Sequence, residues 1–230
     1  MWSANSGSIN LMSKVRLTKP ILICFYGFPG SGKSFVSRNL SESLPIAQVS
    51  ADRIRGELFA SPRYDAQENA IVVHLMDYMA NEFLSAGVSV AYDINATRQA
   101  GRRKLREMAA KNKAEYLLVW LQIDQDSAFG RTQKRDRRTS DDRFTEPQTQ
   151  MSFEKQVGTM QNPKDEPYLV ISGKHAFATQ KGAVVNRLYQ LGIVASDTVQ
   201  ENIAKPELIN LVPNPILSSL ENDRRNISIS

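Results

Sequence analysis

The sequence predicts an α/β protein: a three-layer α/β/α sandwich around a five-stranded, mostly parallel sheet, with a basic helical lid. Three observations carry that expectation. Strand-like and helix-like segments alternate from about residue 20 to residue 192. The first strand candidate, Ile21-Leu22-Ile23-Cys24-Phe25-Tyr26, is apolar on both faces, as a central strand covered from both sides must be. A glycine-rich turn then leads directly into a helical segment, the join expected of a β-α unit.

Each element follows from local pattern. Lys33–Leu44 is helical and stops before Pro45. Ile46–Val49 reads as a second strand and Asp52–Phe59 as a short helix. Ala66–Ser85 places Ile71, Val72, Leu75, Met76, Met79, Phe83 and Leu84 at helical spacing, with Gly87 ending the helix. Val88–Tyr92 is a third strand with Asp93 at its end. Gly101–Lys111 is a basic helix, Tyr116–Leu121 a fourth strand and Asp126–Arg135 a helix. Glu146–Met160 is helical, Leu169–Ile171 is the fifth strand and Lys181–Leu191 the closing helix. Residues 1–18 have the Ser/Asn/Gly composition of an arm, residues 19–194 form the domain with a lid at about 131–145, and 195–230 read as an extended tail. Within that tail, Leu208–Val212 is apolar enough to dock on the domain or a partner.

Composition narrows the function classes. At 230 residues the chain suits one domain with extensions. One cysteine, Cys24, excludes a disulfide framework and most cysteine-rich metal sites. His74 and His175 lack metal-ligand company, and Trp120 reads as packing beside the fourth strand. No apolar run approaches the roughly 18 residues of a membrane span, and the first twenty residues lack a signal peptide's apolar region. The expectation is a cytoplasmic protein with no membrane partner. The net charge of +5 suits a phosphate-bearing substrate without demanding one.

Gly27-Phe28-Pro29-Gly30-Ser31-Gly32-Lys33-Ser34 fits G-x-x-x-x-G-K-[ST]. Glycines let successive backbone N–H groups curl around an anion, and the following helix points its N-terminus at the same anion. Lys33 would reach the β- and γ-phosphates, and Ser34 would place its hydroxyl on Mg²⁺. A buried strand before and a helix after supply the context the motif requires. The loop therefore implies a nucleoside triphosphate with magnesium. No N-K-x-D-type guanine reader is visible, and an AAA-type motor would be longer, with a helical lid domain.

Asp52 stands where the second strand meets a helix, placed to accept the proton of an attacking hydroxyl. Arg55, three residues on, shares its helix face and can hold a substrate phosphate or keep the carboxylate ionised. Asp93 follows an apolar strand, the place for a carboxylate near the metal or its waters. Arg131–Arg143 holds six basic residues against three acidic ones, the composition of a lid that closes arginines over a transferring phosphoryl group.

Together these pieces resemble the polynucleotide-kinase-type branch of the P-loop kinases, which includes zeta-toxin-like and other small kinases. The resemblance spans roughly residues 20–192: the G-x-P-G-S-G-K-S loop, the Asp52-x-x-Arg55 pair, an Asp93-led segment, an R-x-x-x-R pair (Arg131, Arg135) and an N-P-x-x-E stretch (Asn162, Pro163, Glu166). It implies ATP and Mg²⁺ as cofactors and Lys33 and Ser34 on phosphate and metal. It further implies Asp52 as general base, Arg55 positioning the acceptor, Arg135 stabilising the transferred phosphoryl group, and Arg131 beside it. Asp93 would serve the metal, directly or through water. Where the family often reads Asp-Ala-Thr-Asn, this chain has Asp93-Ile94-Asn95-Ala96-Thr97, so Asn95 stands at the threonine position on the acceptor side, with Arg98 just beyond.

The acceptor stays open at this level. The first reading is the 5′-hydroxyl of a polynucleotide: Arg98–Lys113 holds seven basic residues against one Glu, just past the acceptor-side loop, a patch that could track a phosphate backbone. The compact layout suits a small-molecule alcohol equally: a sugar, nucleotide-sugar, nucleoside or antibiotic. A non-enzymatic nucleotide-gated module would be expected to lose Lys33, Asp52 or Arg135, and all three are intact.

Overall fold

The computed structural model describes residues 15–135 and 148–194. Five strands form one sheet: β1 (Ile21–Tyr26), β2 (Ile46–Ser50), β3 (Ser89–Asn95), β4 (Glu115–Gln122) and β5 (Tyr168–Ser172). Seven helices accompany them among the described residues: α1 (Lys33–Ser43), α2 (Ala51–Leu58), α3 (Ala66–Ser85), α4 (Gln99–Lys111), α5 (Gln125–Gln133), α6 (Gln150–Gly158) and α7 (Phe177–Gln190). The strand order is β2-β3-β1-β4-β5, with every neighbouring pair parallel. This is the three-layer α/β sandwich around a five-stranded parallel sheet that the sequence pattern predicts.

Period-2 alternation along β1 builds both layers. Ile21, Ile23 and Phe25 face a core completed by α1 (Val36, Leu40) and α7 (Val184, Val185, Leu188). Leu22, Cys24 and Tyr26 face the opposite core, completed by α3 (Val72, Met76, Ala80, Leu84) and α4 (Leu105, Ala109). Burial pushes the Cys24 thiol far above its ordinary range, as suits an inert core sulfur.

Several boundaries differ from the sequence pattern in ways that matter for the site. β3 runs on through Asp93 to Asn95, so Asp93 lies inside the strand rather than beyond it. The extension is held by pairing of Ser50 with Asp93 and of Phe25 with Asn95, with a register shift between Cys24 and Phe25. α5 ends at Gln133, capped by Lys134, so Arg135 lies past the helix instead of sharing its face with Arg131. The expected lid is described only as far as Arg135, and its remainder to residue 145 lies outside the described residues. So do residues 1–14 of the arm and the whole tail from 195, including Leu208–Val212. Val15 is buried in the α1–α7 core, and Leu17 bridges Val194 in antiparallel fashion, so this stretch belongs to the packed body. Among the described residues, no helix is long and apolar enough to cross a membrane.

Candidate active site

The loop from Gly27 to Gly32 crosses the carboxyl edge of the sheet, where parallel strands leave a crevice for ligands. Its shape depends on glycine where neighbours come closest. Gly30 has φ +80°, and a Cβ there would collide with the Ala128 carbonyl of α5. Gly173, after β5, would put a Cβ 2.6 Å from the Ser31 carbonyl oxygen. The sequence motif contains Gly30; nothing in the sequence marked Gly173.

Gly32 caps α1 in a left-handed conformation, and Lys33 begins the helix. The Lys33 ammonium donates to the carbonyls of Gly27 (2.9 Å) and Phe28 (2.8 Å). Burial pulls its pKa down to about 7; the Asp93 carboxylate opposes that fall and the Arg135 charge reinforces it. The loop, the helix N-terminus and this ammonium form an anion cradle.

Beside the cradle, Asp93 is buried at 5% exposure. Its carboxylate accepts from the Ser34 hydroxyl (3.0 Å) and from the Gln48 amide (3.1 Å). Burial pushes its pKa up to about 6, with the Ser34 hydrogen bond holding it lower and the Asp52 charge raising it further. Hydroxyl and carboxylate oxygens are the hard donors that magnesium takes, so Ser34 and Asp93 fit the ion as a donor set. Gln48, which fixes one Asp93 oxygen, was not singled out in the sequence; it sits mid-strand without a motif.

Asp52 lies in the first turn of α2, half-exposed. Burial raises its pKa, and Arg55, Arg135 and Lys33 each oppose the rise. Arg55 reaches Asp52 at 3.4 Å, yet its stronger partner is Glu68 of α3, at 2.6 Å from Nε. The same guanidinium donates to Asn69 and lies over the Tyr64 ring at 4.6 Å. Arg55 is thus a buried strut between α2 and α3, and its guanidinium edges are occupied by this chain's own groups. Glu68, 1% exposed, also accepts from the backbone N–H groups of Arg63 and Tyr64. Sequence reasoning missed it. The available signal was Asp65-x-x-Glu68, a capping-box spacing, and Asp65 does accept from the Glu68 N–H.

The remaining predicted site residues divide. Arg135 is near enough for its charge to act on both Lys33 and Asp52. Arg131 donates instead to the Gly173 carbonyl at 2.9 Å. Asn95 donates its amide to the Gly27 carbonyl at 2.9 Å, tying β3 to the loop. Arg98 is an exposed residue preceding α4.

Part of the basic run over α4 is committed to the protein itself. Arg102 is fully buried; it bonds Glu166 at 2.7 Å and the Ala96 carbonyl at 2.8 Å. Arg106 pairs with the other oxygen of Glu166, Lys104 with Asp77 at 2.7 Å, and Arg103 approaches Glu107 at 3.8 Å. Four of the seven cations in 98–113 therefore have acidic partners. The Asn162-Pro163-x-x-Glu166 stretch is the other half of this staple: Glu166 anchors α4, and Asn162 accepts from the Tyr26 hydroxyl at 2.7 Å.

A cavity of about 500 Å³ adjoins the loop on the α4 side, at the carboxyl ends of β1 and β4. Tyr26, Phe28, Trp120 and Met160 line it, with Asn162 and the Asp124–Lys174 ion pair (2.6 Å) adding polar groups. Tyr26 meets Trp120 edge-on at 5.3 Å between ring centroids.

Against known proteins, a family model described as AAA domain matches residues 22–159, from β1 to just past α6. The chain belongs to that family. Membership does not make the chain an AAA-type motor, which would be longer, with a helical lid domain. Solved structures share the fold at low identity. An APS kinase from Mycobacterium tuberculosis, solved with AMPPNP and APS, is 18% identical, with 74% of this chain and 98% of that one covered and a TM-score of 0.53. A gluconokinase from Sinorhizobium meliloti is 20% identical over 76% of this chain and 94% of its own, at a TM-score of 0.53. Kti12 from Chaetomium thermophilum, with ADP-AlF3, is 16% identical over 74% and 97%, at a TM-score of 0.56. No curated protein matches the sequence.

Proposed function

We propose that the protein is an ATP-dependent kinase that phosphorylates a hydroxyl of a small molecule. One observation carries this reading: an anion cradle with Lys33, a Ser34–Asp93 oxygen pair and the Asp52 carboxylate meet at one edge of the sheet. The solved structures of an APS kinase and a gluconokinase, proteins named for small acceptors, support the same class. The basic run 98–113 would favour a polynucleotide 5′-hydroxyl only as an open cationic surface. Glu166 withdraws Arg102 and Arg106 from that surface, while Arg103 and Lys104 stay exposed in surface pairs, so the support weakens in part.

The steps follow from this chain's own groups. Lys33 and the loop N–H groups orient the β- and γ-phosphates. Asp52 accepts the acceptor's proton as the acceptor oxygen bonds to the γ-phosphorus and the bond to the leaving ADP oxygen breaks. Lys33 and Arg135 spread the developing charge. Magnesium, held by Ser34 and Asp93, would supply charge neutralisation on the phosphates.

The test is incubation with γ-labelled ATP and magnesium, beside a Lys33→Ala control. One tube holds sugars, nucleosides and nucleotide-sugars, and another 5′-hydroxyl oligonucleotides. Label in the first tube alone is expected. Label confined to the oligonucleotides would replace this reading with a polynucleotide kinase.

A further inference from the structure

The Tyr26–Trp120 cavity has no part in the mechanism above, yet it borders the phosphate loop. About 500 Å³ lies within the ordinary range of small-ligand pockets. Its walls are π-faces and a thioether: Tyr26 and Trp120 meet edge-on, Phe28 comes from the loop, and Met160 comes from the segment after α6. Such walls suit a flat ring.

The polar groups narrow the ligand further. The Asn162 carbonyl oxygen is taken by the Tyr26 hydroxyl at 2.7 Å, which orients the amide so that its N–H groups are the ones left to donate. Gln122 adds an exposed amide at the rim. The charged lining residues, Lys174 and Asp124, neutralise each other at 2.6 Å. A phosphorylated ligand therefore finds no net attraction in the cavity. A neutral heteroaromatic ring with acceptor atoms on its edge finds stacking surface and donors, which is how amide side chains and aromatic residues read unpaired bases. A sugar ring would bring hydroxyl donors to a wall made mostly of apolar surface. Gly27 and Phe28 belong both to this wall and to the loop, so a ligand seated here abuts the segment that holds the phosphates.

We propose that this cavity seats the base of a free, unphosphorylated nucleoside, which is the phosphate acceptor. The proposal rests on the kinase reading for the acceptor's role; binding itself does not need it.

The test uses the full chain carrying Trp2→Phe, which leaves Trp120 as its one tryptophan. Cytidine, uridine, adenosine and guanosine are titrated without ATP, with glucose and gluconate as controls, and Trp120 emission is followed. At least one nucleoside should change the emission saturably while the sugars do not. Asn162→Ala, at an exposed position, should weaken that binding by about tenfold, the size of one hydrogen bond. Equal responses to sugars, no response to any nucleoside, or a response indifferent to Asn162→Ala would overturn the proposal. So would affinity that climbs with length across 5′-hydroxyl oligonucleotides. Labelled ATP then separates the two claims. Label on another small alcohol, with no nucleoside bound, removes this site and leaves the kinase reading intact. Saturable nucleoside binding with no label on any acceptor sustains the ring site and removes the kinase reading.

Discussion

The two halves of the sheet's carboxyl edge are built from different chemistry. Over β2 and β3, carboxylates and cations are packed against one another: Asp93 against Ser34 and Gln48, Asp52 against Arg55, Arg55 against Glu68. Over β1 and β4, the same edge is mainly aromatic, with one ion pair, Asp124–Lys174, at its rim. Trp120 meets Tyr26 at 5.3 Å; Tyr168, 5.4 Å from Trp120, stands at the amino end of the outermost strand, where it and Val170 remain 40% and 44% exposed. Buried charge must be paired in fixed geometry, so the polar half is rigid in its demands. An aromatic surface accepts any ring of suitable shape. On the proposed reading, the polar half carries the chemistry and the aromatic half the ligand choice.

The largest expected effect falls on the polar half. Lys33→Ala removes the cation from the cradle and should abolish phosphoryl transfer and weaken nucleotide binding together, read by labelled transfer and by calorimetric titration of ATP. Asp52→Asn should lower kcat by about 10²–10⁴, the usual range for a positioned general base, while ATP affinity stays near wild type. An equal fall in affinity would assign Asp52 to binding and blur the division between the halves. The pH profile sharpens it. Burial raises the Asp52 pKa and its cationic neighbours only partly offset this, so the acid limb of kcat/KM should lie above the ordinary aspartate range. In Asp52→Asn that limb should vanish from the residual rate.

The staple beneath the acceptor side comes next. Glu166→Gln leaves Arg102 buried beside a neutral partner, so urea denaturation should show a loss of about 3–5 kcal/mol, as for breaking a buried pair. The smallest effect belongs to the aromatic half's outer rim. Val170→Thr on the exposed edge should change stability by less than about 0.5 kcal/mol. A large loss there would mean that the face is covered by another part of the chain.

Metal-free stability offers a further check on Asp93. Its folded pKa of about 6 exceeds the ordinary value of 3.8, so the folded state binds more protons between those limits. That contribution is complete below the ordinary value and is lost as pH rises through about 6. In chelator, Asp93→Asn should remove this part of the wild type's pH dependence.

The polar half was the legible one. A phosphate loop is spelled by local spacing; Asp52 and Arg55 follow directly on β2 in the first turns of α2, and Asp93 lies near the end of β3. The two cores follow from period-2 alternation, as β1 shows, whereas the strand order β2-β3-β1-β4-β5 is set by long-range pairing that no local pattern spells. Glu68 and Glu166 carry local marks, a capping-box spacing and the N-P-x-x-E stretch, but their ion pairs to Arg55 and Arg102 span 13 and 64 residues, so neither mark tells the partner. The basic run over α4 was legible as charge but not as paired charge, since its acidic partners Asp77 and Glu166 come from other elements. The aromatic cavity was the least legible. Tyr26 ends β1 and Trp120 stands near the end of β4, both in ordinary apolar runs, and only the β1–β4 pairing, which sets Tyr26 beside Trp120, makes them one wall.

The most direct test of the central claim is labelled transfer from ATP by the wild type, Asp52→Asn and Lys33→Ala in the small-molecule pool. The account predicts label on a small alcohol from wild type, a residual trace from Asp52→Asn with ATP binding intact, and none from Lys33→Ala. Full transfer by a folded Asp52→Asn protein would contradict it.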